Sequence, residues 1–217
     1  MTRQWTEALT PPLLMQGLRM AKRRLFGPHP DPDRLFDGDD QMFKAALRGA
    51  RVYGEYGCGA STLWVARTLK LPIFAVDTSA DWLQHVRGQT AGNPKVTLFH
   101  ADCGDIGYWG RPETYDRTTG FHDYTDWLWR QTLRPDVVLI DGRFRVCCFL
   151  TSLKHADAGT RLIFDDYTGR RWYHIVERLV PRHQVCGRQC LFVVPPKSAL
   201  DMAALDRMID QFRLVMD

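Results

Sequence analysis

Acidic side chains follow successive apolar runs along this chain, and they are the residues best able to do chemistry. In chain order they are Glu55, Asp77, Asp102, Asp141, Asp165 and Asp166. One aspartate after a strand is usually a turn or capping residue, but five such positions in succession are hard to explain that way. Open α/β sheets bind ligands outside the carboxyl ends of their strands. The acids therefore predict one shared ligand site.

A glycine-rich turn accompanies the first acid. Residues 52–63 read V-Y-G-E-Y-G-C-G-A-S-T-L, so an apolar strand turns through Gly57 and Gly59 and enters a helix at Ser61-Thr62. Glycine is needed where the backbone turns sharply or approaches a ligand closely. We expect Ser61 or Thr62 to cap the helix, so that its amides and dipole face a ligand over the turn. An ordinary tight turn between a strand and a helix has the same local sequence.

The last three acids, Asp141, Asp165 and Asp166, allow two arrangements. Three carboxylates are enough to hold Mg²⁺ with water completing the octahedron. Nearby guanidinium groups can instead neutralise the acids, or bind a carboxylate or phosphate of the substrate. The residues that we expect to contact the substrate follow the same two strands: Arg143, Tyr167 and Arg170. The sequence leaves metal binding open and slightly favours neutralisation by arginine.

The runs before the acids alternate with helical patterns. We predict strands over residues 51–56, 71–77, 95–101, 136–140 and 160–164, helices over 62–70, 81–90, 146–156, 172–179 and 200–215, and a hairpin over 183–194. Apolar strands separated by helices indicate a parallel sheet that is covered on both faces. Residues 103–122 show no periodicity, and a loop of this length is uncommon unless it is functional. Its aromatic residues favour a lid or a substrate wall over disorder.

The E-x-G-x-G sequence at Glu55–Gly59 resembles motif I of the class I S-adenosylmethionine-dependent methyltransferases. The predicted elements between about residues 50 and 195 also resemble the Rossmann-like fold of that family. The resemblance implies an α/β fold with a seven-stranded, mostly parallel sheet, a C-terminal antiparallel hairpin and helices on both faces. It also implies S-adenosylmethionine as cofactor. A nicotinamide dinucleotide would need the G-x-G-x-x-G fingerprint, which this turn lacks.

The resemblance and the chemistry of the strand ends assign the cofactor site to six residues: Glu55, Gly57, Gly59, Ser61, Asp77 and Asp102. Asp77 suits the ribose hydroxyls, Asp102 suits the adenine amino group, and Glu55 resembles the acid that places the methionine end. Asp141, with Asp165 and Asp166, resembles the metal-binding acids of catechol-type O-methyltransferases. That family's neighbouring lysine or histidine and its Asp-Asn pair are absent here.

The function we expect is methyl transfer to an oxygen or nitrogen of an unidentified small molecule, and the arginines leave open that this molecule is an anion. Asp141 is our candidate for the base or metal ligand, and Asp165 and Asp166 support it. The alternative is a non-catalytic Rossmann-like module that binds an adenosyl ligand or a partner. Fold alone does not establish a reaction, so the sequence leaves both open, together with the oligomeric state.

Composition sets wider limits. The 217 residues are 45% hydrophobic and 25% charged, as in ordinary globular proteins. We predict a helical arm or cap over residues 1–49, including a basic helix at 11–26 and a linker at 27–33, and a Rossmann-like domain over 50–217. A net charge of +4 gives no strong nucleic-acid signal. No apolar run approaches a membrane span or a secretory signal, and six scattered cysteines indicate reduced thiols in the cytoplasm.

Overall fold

The computed structural model describes residues 34–36 and 39–217. The basic helix predicted over 11–26 and the linker over 27–33 lie outside these residues, and the domain boundary predicted at 49/50 stays a prediction. Residues Leu35–Asp217 form one compact unit. Within the described ranges, no helix is both long enough and apolar enough to cross a bilayer.

Seven strands alternate with helices through the described residues. In chain order the elements are α1 (Gln41–Ala46), β1 (Tyr53–Tyr56), α2 (Ala60–Thr68), β2 (Ile73–Asp77), α3 (Ala80–Gln89), β3 (Val96–His100), α4 (Thr118–Asp126), β4 (Val137–Ile140), α5 (Arg145–His155), β5 (Arg161–Phe164), β6 (Gln184–Cys186), β7 (Gln189–Val193) and α6 (Met202–Phe212). Short 3₁₀ segments cover Tyr108–Gly110, Trp127–Arg130, Arg171–Arg178 and Lys197–Ala199. Each predicted strand is present and slightly shorter than predicted.

The strands form one sheet in the order β3-β2-β1-β4-β5-β7-β6. The first five strands are parallel. β7 runs antiparallel to β5, and β6 runs antiparallel to β7. The predicted fold class, including the closing hairpin, is confirmed. The strand order reverses between β1 and β4, so this is the topological switch point at which such sheets bind ligands.

Side chains that alternate along β4 fill the cores on the two faces of the sheet. Val138 and Ile140 pack with apolar residues of α4, α5 and α6. Val137 and Leu139 pack on the opposite face with residues of α1 and α2. Adjacent side chains of a strand point to opposite faces, so an apolar run with no alternation is what a strand covered on both sides requires.

The predicted loop over residues 103–122 is wrong from Thr118 onward, where α4 begins. α4 begins with Thr-Thr-Gly, residues of low helix propensity, so the sequence pattern did not predict this helix. Gly120 is required by packing, since a Cβ there would overlap the carbonyl oxygen of Asp102. The preceding residues are ordered by a bridge between Ile106 and Pro112. The segment predicted as a helix over 172–179 is a 3₁₀ helix.

Candidate active site

Two glycine turns meet at the switch point. Gly57, after β1, has φ +88°, and a Cβ on it would lie 2.6 Å from the Cα of Gly142, which follows β4. A Cβ on Gly142 would overlap the hydroxyl of Tyr124. Side chains are therefore excluded from both positions, and the turns that follow β1 and β4 touch through their backbones. Gly57 and the candidate base Asp141 are held at the same point of the sheet edge.

Glu55 lies beneath the glycine turn and is fully buried. The hydroxyl of Ser61 donates to one carboxylate oxygen, and that of Thr62 donates to the other at 2.5 Å. The Thr62 hydroxyl oxygen also accepts the Gly59 N–H at 2.9 Å. Glu55 thus fastens the first turn of α2 to β1. Because the carboxylate is buried, its pKa rises to about 7, although the hydroxyl hydrogen bonds oppose the rise.

The start of α2 differs from the prediction. The helix begins at Ala60, and Gly59 occupies the N-cap position. Ser61 and Thr62 therefore lie inside the first turn, and neither is the N-cap. Their hydroxyls turn back to Glu55, and the predicted cofactor residues Gly57 and Gly59 are half-buried in the turn.

Asp77 joins the end of β2 to the glycine turn. Its carboxylate accepts the backbone N–H of Cys58 at 3.0 Å and that of Ser79 at 2.9 Å. Burial raises the pKa of Asp77, and these backbone hydrogen bonds act against the rise. The indole of Trp82 donates to the Cys58 carbonyl at 2.5 Å. Asp77, the predicted ribose-binding acid, therefore lies beside the glycine turn.

Asp102 follows β3 at the same edge, but its surroundings differ. Its carboxylate is more than half exposed and forms an ion pair with Arg117. It also accepts the Gly104 N–H at 3.1 Å. The loop that follows reaches back over β2, where the Thr78 hydroxyl donates to the Gly110 carbonyl at 2.7 Å. The predicted adenine-binding acid is therefore at the rim, and its arginine partner was not predicted.

Asp141, Asp165 and Asp166, which we call the acid cluster, come together as predicted. Each contributes an oxygen, and these oxygens lie within 4.8 Å of one another. The buried guanidinium of Arg145 lies 3.1 Å from Asp141 and 3.2 Å from Asp166. It also donates to the backbone carbonyls of Asp141, Gly142 and Asp165. Arg145 therefore ties together the loops that follow β4 and β5.

Two more arginines complete the pairing. Arg188, in the hairpin turn before β7, lies 2.7 Å from the fully buried carboxylate of Asp165. Arg170 lies 2.8 Å from Asp166. Three carboxylates thus face three guanidinium groups, and their formal charges cancel. Burial, followed by the negative charge of Asp165, raises the pKa of Asp141 well above its ordinary range, while Arg145 opposes the rise.

This donor set does not fit a resident divalent ion. Carboxylate oxygens of Asp165 and Asp166 that would coordinate Mg²⁺ already accept from Arg145, Arg170, Arg188 and Gln189. The carboxylate of Asp141 forms an ion pair with Arg145. A cation would have to displace positive side chains, and one of them, Arg145, is itself buried. We therefore assign no catalytic step to a metal.

The three predicted substrate residues have different surroundings. The side chain of Tyr167 is buried in the core, and its hydroxyl donates to Glu177 at 2.7 Å. Arg170 forms an ion pair with Asp166 and donates a hydrogen bond to the hydroxyl of Tyr173 at 2.9 Å. Arg143 is partly buried in the loop that follows β4, and its side chain forms no ion pair with any other residue that the structure describes. The structure thus brings Arg143 and Arg170 to the sheet edge, and it places the hydroxyl of Tyr167 in a contact with Glu177.

Strained backbone is concentrated at this edge. Among the described residues other than glycine, positive φ occurs at Trp109 (60°), Phe144 (52°) and Asp166 (57°). These residues follow β3, β4 and β5 respectively. Left-handed backbone is unfavourable for such side chains and tends to persist at functional sites. The strain supports the placement of the site at the carboxyl ends of the strands.

Comparison with solved structures identifies the family. A methyltransferase-like protein from Silicibacter pomeroyi is 31% identical to this chain, with a TM-score of 0.70, and the match covers 85% of this chain and 95% of that one. The chain belongs to the class I S-adenosylmethionine-dependent methyltransferases. S-adenosylmethionine is the cofactor of this family, and methyl transfer is its reaction. The predicted family and cofactor are confirmed.

Two further structures are more distant. A methyltransferase from Geobacter sulfurreducens is 15% identical with a TM-score of 0.48, over 88% of this chain and 95% of that one. An RNA methyltransferase from Salinibacter ruber, in complex with S-adenosylhomocysteine, is 14% identical with a TM-score of 0.43, over 77% and 94%. The family assignment rests on the protein from Silicibacter. No model of a protein family and no curated protein matches the sequence.

Proposed function

We propose that this methyltransferase moves a methyl group from S-adenosylmethionine to an oxygen or nitrogen of a small molecule. The observation that carries the proposal is the backbone contact between Gly57 and Gly142. It holds the turn assigned to the cofactor against the loop that carries Asp141. A reaction between two bound groups gains most from such fixed orientation.

Asp141 is the proposed base. The acceptor's proton passes to its carboxylate, the acceptor atom forms a bond to the methyl carbon, and the electrons of the broken carbon–sulfur bond stay on sulfur. A raised pKa makes a carboxylate a better base near neutral pH, and the pKa of Asp141 is raised. Its side chain is 29% exposed, whereas that of Asp165 is 0% exposed. Asp165 and Asp166 support it by holding the arginines.

The proposed cofactor contacts come from the glycine turn and the next two strands. Gly57 and Gly59 leave room for the methionine end, Asp77 accepts from the ribose, and Asp102 at the rim accepts from the adenine amino group. Glu55 and Ser61 act from beneath the turn, where they bond to each other. The three-dimensional arrangement supports these roles because the six residues lie in or just beyond the last residues of adjacent strands β1, β2 and β3, or in the turn and the first turn of α2 that follow β1.

Cofactor titration followed by turnover tests the proposal. S-adenosylhomocysteine should raise the Tm by mass action, and NAD should not. Production of S-adenosylhomocysteine with a panel of small hydroxyl and amine compounds should then be lost in Asp141→Asn, with cofactor binding retained. Asp210→Asn, at an exposed acid of α6, is the matched control. Cofactor binding without turnover on any acceptor would favour the non-catalytic module.

We also propose a cytoplasmic location. All six cysteines, at positions 58, 103, 147, 148, 186 and 190, are free thiols, and five of them are buried. Free thiols persist in reducing compartments, whereas oxidising ones favour disulfides. Quantitative thiol labelling of the protein purified under denaturing conditions should find six reactive groups.

A further inference from the structure

Arg143 differs from the other arginines around the acid cluster because its charge is not paired. Its Nε atom is buried and has no hydrogen-bond partner in the described part of the chain. Among the described residues, no carboxylate forms an ion pair with its guanidinium group. In contrast, Arg145, Arg170 and Arg188 all pair with the acid cluster. Arg143 thus brings to the sheet edge a guanidinium group that is not held by the acid cluster.

The nearby hydroxyls already accept hydrogen bonds, whereas one buried oxygen of the Asp217 carboxylate has no partner among the described residues. The hydroxyl of Tyr124 accepts the backbone N–H of Arg143 at 3.0 Å. The hydroxyl of Tyr173 accepts from Arg170 at 2.9 Å. The carboxylate of Asp217 accepts the backbone N–H of Arg145 at 2.8 Å, at the start of α5. Burial, and then the neighbouring charge of Arg145, lower the pKa of Arg143, while the negative charge of Asp217 acts against this shift.

The position of Arg143 is fixed relative to the proposed base. It is two residues beyond Asp141, and two residues of chain span at most about 7 Å. The next residue, Phe144, is fully buried with φ 52°, so the loop that carries Arg143 is anchored in the core. A small molecule whose acceptor atom meets Asp141 can therefore present another group to Arg143.

We propose that Arg143 binds an oxyanion, a carboxylate or a phosphate, of the methyl acceptor, so that the substrates are small organic acids or phosphate esters. The inference rests on the proposed function, and it names the substrate class. The Nε–H and a terminal N–H of guanidinium form parallel donors that match two oxygens of one oxyanion. A neutral substrate could offer an acceptor to the Nε–H but would bring no negative charge to the guanidinium group.

Simple anions test the inference without knowledge of the substrate. With saturating S-adenosylhomocysteine, benzoate or inorganic phosphate should raise the Tm of the wild-type protein, and neutral benzamide should not. Arg143→Gln should weaken the anion effect roughly ten- to a hundredfold, the range expected for hydrogen bonds to a charged group. Arg143→Lys keeps the charge but loses the paired donors, so the anion effect should be weakened less in this variant than in Arg143→Gln. Arg171→Gln removes an exposed arginine from the same edge and should keep the effect.

Three results would overturn the inference. The first is that neither anion stabilises the wild-type protein, and the second is that the stabilisation survives in Arg143→Gln. The third is that Arg143→Gln binds S-adenosylhomocysteine more weakly than the wild type does but binds 5′-methylthioadenosine, which has no carboxylate, equally well. Arg143 would then hold the carboxylate of the cofactor and not that of the substrate. The Tm increase with S-adenosylhomocysteine alone reports that each variant is folded. If that increase is missing in the wild type, the proposed function fails instead.

Discussion

Replacing Glu55 by glutamine should change how stability depends on pH. The carboxyl group is fully buried and accepts from Ser61 and Thr62. Glutamine has nearly the same shape, its oxygen can accept from Thr62, and its amide can donate to the hydroxyl oxygen of Ser61. It cannot ionise, so the variant removes the cost of burying a negative charge and keeps the packing.

The size of the effect follows from the pKa of Glu55, which rises from 4.5 to about 7 on folding. Between these values the folded state binds more protons than the unfolded state, so the contribution of Glu55 to stability is present at low pH and is lost as the pH rises towards 7. Each pKa unit corresponds to about 1.4 kcal/mol. The wild type should therefore lose about 2.5 kcal/mol relative to Glu55→Gln between roughly pH 5 and pH 8.

Urea unfolding of both proteins at several pH values measures this difference. Other titrating groups contribute similarly to both proteins and cancel in the comparison. Asp210→Asn, which removes an exposed carboxylate, should run parallel to the wild type. A difference between wild type and Glu55→Gln that stays constant from roughly pH 5 to pH 8 would refute the reasoning, because Glu55 would then ionise as it does in water.

Further predictions concern the sheet edge. Asp77→Asn should weaken S-adenosylhomocysteine binding roughly ten- to a hundredfold by calorimetry, because a ribose contact to a charged acceptor is lost; an unchanged affinity would remove Asp77 from the site. Gly142→Ala should destabilise the fold by at least about 1–3 kcal/mol, since the new Cβ overlaps a buried tyrosine hydroxyl; unaltered urea unfolding would contradict this packing. Arg188→Gln should lower the free energy of unfolding by about 2–3 kcal/mol because Asp165 loses its ion pair. An unchanged free energy of unfolding would show that the hydrogen bond from Gln189 is enough to stabilise the buried carboxylate. Millimolar Mg²⁺ should leave the Tm unchanged while Asp141→Asn lowers it; stabilisation by Mg²⁺ that Asp141→Asn abolishes would restore the metal hypothesis.

The sequence was sufficient for the sheet because each strand is a short apolar run that ends near an acid. Parallel strands place their carboxyl ends at one edge, so the meeting of Asp141, Asp165 and Asp166 followed from element order alone. The arginine partner of Asp165 did not follow. Arg188 lies 23 residues away in a hairpin turn, and only the pairing of β7 with β5 brings it there.

Glu55 shows a second limit of the sequence. The pattern places an acid near the end of β1, but Glu55 is the third of the four residues of that strand, whereas Asp141 follows β4. A residue inside a strand points into one face of the sheet, so Glu55 meets the start of α2. The boundary of one strand thus decides whether a carboxylate faces the ligand crevice or the interior.

The contact between Gly57 and Gly142 also constrains motion and evolution. No side chain lies between the two backbones at this contact. A movement of one loop therefore cannot be accommodated by a change of side-chain rotamer. A shift of the turn after β1 by more than a few tenths of an ångström must move the loop after β4 as well. The two loops therefore move together as a rigid unit. Either glycine can be replaced by a residue with a side chain only if the two loops separate.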